Sequence, residues 1–171
     1  MNRRSTALAG GLATLLASAA TVLLATGVGF AASTHPAASA NETFNLMTTQ
    51  PSSARYSLIA SGVFTAGGVD IAGNTTDTAK FPAGSFKIHH GGTPKIIKES
   101  VNAKTCLAFF EAKAPFTIGS GTGAYKGITG SGTATITELG IAARNKQGAC
   151  NFNANPLVNE ETIVGKAHVT L

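Results

Sequence analysis

The chain has 171 residues, of which 43% are hydrophobic, so it can build one domain around one core. Its formal net charge is +5, from 13 Lys and Arg against 8 Asp and Glu. Beyond Arg3 and Arg4 the basic residues are scattered singly without an aromatic-rich stripe, so they read as solvated surface and no nucleic-acid partner is expected.

The first residues read as an address. Arg3 and Arg4 precede an uncharged Ala/Leu/Gly/Val run from Ala7 to Ala32. A basic start, an apolar middle and small residues at the end predict a secretory signal helix over 1–40. Ala38-Ser39-Ala40 fits the small-x-small rule and would release Asn41; Gly29-Phe30-Ala31 also fits, with cleavage near 31. The run is long enough to span a bilayer, but its Ala, Gly and Thr make it only mildly apolar. The expectation is removal, leaving no stable membrane anchor, by the general secretory or the twin-arginine route. Without Arg3 and Arg4 the remainder carries 11 basic and 8 acidic residues, a net +3.

From Asn41 to Leu171 the pattern is all-β and one domain. Thr43 to Thr49 reads as a first strand, broken by Pro51. Arg55 to Phe64 alternates, with Tyr56, Leu58, Ala60 and Phe64 on one face. Gly67-Gly68 and Gly73-Asn74 are turn signals, and Asn74-Thr75-Thr76 is a glycosylation sequon in a eukaryotic host. A strand ends at Phe81 before Pro82. Ser85 to His90 alternates again, with Phe86, Ile88 and His90 on one face and Lys87 and His89 on the other. Neighbouring strand residues point to opposite faces, so His89 and His90 do not share a metal ion. Lys95 to Val101 is a further strand. Cys106 to Ala112 is apolar on both faces, and Pro115 interrupts before Phe116 to Ile118. Gly132 to Gly140 alternates Ala134 and Ile136 with a threonine row. The last strand, from Glu161, turns Ile163, Gly165, Ala167, Val169 and Leu171 to one side. Eight or so short strands without an amphipathic helix predict an antiparallel sandwich or barrel, and eight can close a small barrel.

Cys106 and Cys150 make an even count in an exported chain, which reads as a disulfide. No C-x-x-C and no neighbouring histidine suggests a metal or redox site, and no cofactor motif is present.

Six of the residues between Ile118 and Gly132 that matter most are Gly121, Gly123, Tyr125, Gly127, Gly130 and Gly132. The run matches neither phosphate-binding glycine template, since Lys126 precedes Gly127 and residue 124 is Ala. It reads as a structural corner, with glycines at turns and close approaches and Tyr125 packed inward. The stretch Gly119-x-Gly121-Thr122-Gly123-Ala124-Tyr125-Lys126-Gly127-Ile128-Thr129-Gly130-Ser131-Gly132 resembles the corner of the allene oxide cyclase and dirigent barrels. It is most similar to secreted actinobacterial members of unassigned function. The likeness extends to Gly62-Val63-Phe64, to the Asp77 to Phe86 hairpin and to the cysteine pair. It implies an eight-stranded antiparallel barrel. Plant relatives steer cyclisation of a fatty-acid epoxide or coupling of phenolic radicals, but no catalytic residue transfers by motif.

Three functions follow as expectations. The first is a secreted barrel that binds a small apolar ligand, with Tyr56, Phe86, Ile88, His90 and Glu111 as cavity residues. The second is a cofactor-free cyclase or isomerase, which needs a buried group of perturbed pKa. The third is a cell-envelope protein with a filled barrel. The oligomeric state is left open.

Overall fold

The computed structural model describes residues 38–171. The expected signal helix and the cleavage site near 31 lie outside these residues. Strand β1 (Ser39–Thr48) already includes Ser39 and Ala40, which pair with Thr170 and Val169.

A closed barrel of eight antiparallel strands follows. β1, β2 (Arg55–Ser61), β3 (Thr65–Ile71), β4 (Thr76–Phe81) and β5 (Gly84–His90) form a meander, each paired with the next. After β6 (Lys95–Asn102), β7 (Leu107–Gly119) pairs with β8 (Thr129–Ile141). A small hairpin of β9 (Ala143–Arg144) and β10 (Cys150–Asn151) leads to β11 (Val158–Thr170), which lies between β8 and β1. Pairing of β5 with β7 closes the ring. Among the described residues no helix is long and apolar enough to cross a membrane.

Two sequence expectations are corrected. Gly67-Gly68 is the middle of β3, not a turn. A Cβ on Gly68 would lie 2.2 Å from the Lys80 carbonyl oxygen, so the glycine is there to let β3 and β4 approach. Pro115 does not interrupt either: β7 runs through it for 13 residues. The reason lies in its neighbours. β5 and β6 flank the same edge of β7, β5 against residues 116–119 and β6 against 107–113, with 91–94 looping out between them. At Pro115 that edge has no strand asking for an N–H, while its carbonyl accepts from the Gly91 amide at 2.9 Å.

Strand lengths are unequal. β7, β8 and β11 have 13 residues each, against six or seven in β2 to β5. The long strands overhang one end of the barrel, where β6 extends the sheet. β6 is exposed throughout, and Lys95 and Lys98 on it discourage edge-to-edge pairing. The Cys106–Cys150 disulfide is formed, with its Cα atoms 5.3 Å apart, and staples the β9–β10 hairpin to the tip of the overhang.

The opposite end is filled. Phe44, Phe64, Phe81, Phe86 and Tyr125 meet there with ring centroids 4.9 to 6.4 Å apart. Tyr125 is buried, and the corner holds it by backbone bonds across to the β4–β5 turn, Thr122 N–H to Ser85 O and Ala124 N–H to Ala83 O. Gly121 is required here: a Cβ would fall 1.7 Å from the Tyr125 carbonyl oxygen.

Candidate ligand cavity

Between the aromatic plug and the overhang the barrel is hollow. The cavity measures about 650 Å³, within the ~300–1,000 Å³ of small-molecule sites. Strand alternation builds its wall. Phe44 and Leu46 of β1, Ile88 of β5, Phe116 of β7, Ile136 of β8 and Ile163 of β11 all point inward. Between them small residues pair with one another across the ladder, Ala114 opposite Ala134 and Ala134 opposite Gly165. Missing side-chain volume at these positions leaves the hollow.

Polar groups gather toward the overhang end. Register places Glu161 of β11 opposite Thr48 of β1, and Tyr56 of β2 opposite Asp70 of β3. Tyr56 donates its phenol hydrogen to Glu161 Oε2 at 2.8 Å, reaching past β1. Asp77 of β4 pairs with His90 of β5, Oδ2 to Nε2 at 2.8 Å, and its Oδ1 accepts the Gly73 amide at 2.9 Å. Asp70 differs from both. It is 1% exposed, and its Oδ1 has no hydrogen-bond partner among the described residues although Asp70 lines the cavity.

Burial sets the electrostatics. It pushes the Asp70 carboxyl up to about 7; the negative charge of Asp77 adds to this and His90 opposes it. Burial also raises Glu161, against the stabilising bond from Tyr56 and with a further push from Glu138. The Tyr56 phenol is raised by burial and then by its bond to Glu161. The result is a buried carboxylic acid that both holds and releases a proton near neutral pH, inside an apolar chamber.

Of the five residues expected to line a cavity, Tyr56, Ile88 and His90 do so. Phe86 does not; it belongs to the aromatic plug. Glu111 does not either. In β7 the inward positions are Ala112, Phe116 and Ile118, so Glu111 takes the outer face, in register with Lys98 and Thr137. His89 points away from His90 and meets Thr76 Oγ1 at 3.1 Å. The sequence reading missed Asp70, Asp77 and Glu161. Glu161 had a signal, because it shares parity with the inward row Ile163 and Gly165. Asp70 was hidden by the glycine pair beside it.

Among the described residues no group of three or more His, Cys, Asp and Glu side chains is placed to hold a metal ion. Compared with family models, curated proteins and solved structures, the chain matches none.

Proposed function

We propose that this protein is a secreted barrel that binds one small, mainly apolar molecule in its hollow half. One observation carries the reading: a chamber of about 650 Å³ with an apolar wall, closed by aromatics at one end and fringed by a few polar groups at the other. That is the general form of a small-molecule site, and a barrel built only to stand would fill it with side chains. Secretion is supported by the basic-apolar leader and by the Cys106–Cys150 bridge, which persists in oxidising compartments. Cleavage near 31 suits the fold better than cleavage after Ala40, since the latter would remove two paired residues from β1. The glycine corner joined to an eight-stranded barrel supports kinship with the allene oxide cyclase and dirigent barrels.

The test uses a neutral apolar fluorophore, N-phenyl-1-naphthylamine. Its emission rises on entering the wild-type cavity, and Ala134→Phe, which fills the chamber from β8, removes the rise while keeping the fold by circular dichroism. Emission that rises equally in both proteins places the probe elsewhere and ends the proposal.

A second reading, a cyclase or isomerase working by proton transfer, is favoured by Asp70 alone. A carboxyl poised near neutrality is suited to general acid–base work. On this reading the barrel exchanges the α-hydrogens of a bound cyclic ketone such as carvone for solvent deuterium, and Asp70→Asn stops the exchange while N-phenyl-1-naphthylamine still binds.

A further inference from the structure

The charges around the hollow are unbalanced. Among the described residues Asp70, Asp77 and Glu161 line it, His90 is the one basic side chain that does, and no lysine or arginine is present in the lining. Two of the three carboxyl groups are engaged. Asp77 uses both oxygens, on Gly73 and His90, and Glu161 accepts from Tyr56. Asp70 is left with a buried Oδ1 that no described residue satisfies. Buried polar atoms are normally paired, and one that is not costs free energy until a partner arrives. A buried carboxylate without a cation beside it is costlier still.

We propose that the natural occupant is an apolar amine, whose hydrocarbon body lies along the Phe44–Ile163 wall and whose ammonium group docks on Asp70. The proposal rests on the hollow being a ligand site. An ammonium supplies both missing things, a hydrogen-bond donor for the Asp70 carboxyl and a positive charge among three carboxyl groups. An alcohol supplies only the donor. A carboxylate supplies neither and meets like charge in a poorly screened space. The chamber therefore discriminates by repulsion as well as attraction, and fatty acids are what it rejects.

The experiment compares three probes of one chain length, octylamine, octan-1-ol and octanoate, by isothermal titration of the full chain at pH 7.5. Octylamine is expected to bind at least tenfold tighter than octan-1-ol, with octanoate weaker than both. Octanoate binding as tightly as octylamine, or octan-1-ol doing so, overturns the proposal but leaves the cavity a ligand site. If none of the three binds, the ligand site itself falls and the proposal with it. Asp70→Asn should bring octylamine to within about threefold of octan-1-ol by weakening octylamine far more than the alcohol; a surviving preference removes Asp70 as the anchor. Should Asp70→Asn not fold, wild-type pH dependence decides. The groups around Asp70 are Tyr56 on β2, Asp77 on β4, His90 on β5 and Glu161 on β11. With burial holding the Asp70 carboxyl up near 7, octylamine affinity rises more than about tenfold from pH 5 to pH 8 as the carboxyl ionises, and octan-1-ol affinity changes less. A flat octylamine profile with no preference over octan-1-ol overturns the proposal.

Discussion

Asp70 shows how one residue can make stability depend on pH in an unusual direction. Burial raises its carboxyl from the ordinary 3.8 to about 7. Between those values the native protein keeps a proton that the unfolded chain has already released. The stabilisation is therefore complete below about pH 4, and it is lost as pH rises through 7. The full swing is at most about 4 kcal/mol, at 1.36 kcal/mol per pH unit. Glu42 and Glu161 are also raised by burial and contribute with the same sign, so the test is a difference. Urea midpoints of the wild type should fall from pH 4 to pH 8, and those of Asp70→Asn should fall less, by an amount on the order of 2–4 kcal/mol. Parallel profiles for the two proteins would mean that Asp70 is ionised in the native state throughout. The same carboxyl would then be useless as an acid, which would also remove the ground for a proton-transfer enzyme.

At the scale of elements, the glycine-rich corner separates two kinds of glycine that look alike in sequence. Gly121 faces the Tyr125 carbonyl oxygen at 1.7 Å from any added Cβ, and that oxygen is fixed because it accepts the Ile128 amide. Gly119 ends β7 with nothing within 4 Å of its Cβ position. Gly121→Ala must push the corner off the plug and is expected to cost more than ~3 kcal/mol, in the range of severe core disruptions. Gly119→Ala meets no obstacle and lowers the entropy of the unfolded chain, so it should be neutral or stabilising by ~0.4–1 kcal/mol. Thermal midpoints of the two variants decide this, and equal destabilisation would show that close approach does not separate the two positions. The strands themselves were largely legible, because alternation in Arg55–Ser61, Ser85–His90 and Glu161–Thr170 reflects a ladder with one face on the core. Legibility failed where a glycine or proline served a neighbour rather than its own strand. Gly68 admits Lys80, and Pro115 sits where β5 hands over to β6; both facts belong to strand pairing, which local pattern does not contain.

For the whole molecule, the same distinction explains the site. Tyr56, Ile88 and His90 could be placed on an inner face from parity, but which inner residues line a hollow and which fill a plug depends on how far along the barrel each strand sits. Phe86 and Ile88 share a face and are two residues apart, yet one packs on Tyr125 and the other borders the cavity. Register decides that, and it follows from all eight pairings together. The disulfide makes a division between barrel and overhang testable. It joins residues 44 apart in sequence, and in the chain-entropy account closing such a loop contributes about 4 kcal/mol. What it holds locally is the β9–β10 hairpin, otherwise fastened by a few bonds such as the Arg144 guanidinium to the Lys104 carbonyl and the Ala142 amide to the Cys106 carbonyl. The cavity wall is fixed by ladder pairing in the barrel proper and does not use the hairpin. Reduction should therefore lower the denaturant midpoint by up to about 4 kcal/mol of stability, while N-phenyl-1-naphthylamine binding in the absence of denaturant changes less than twofold. Loss of probe binding on reduction, with the barrel's circular dichroism intact, would show that the overhang shapes the chamber. On the proposed reading, a ligand would then have to be sought among molecules long enough to reach from the Phe44 floor to the hairpin.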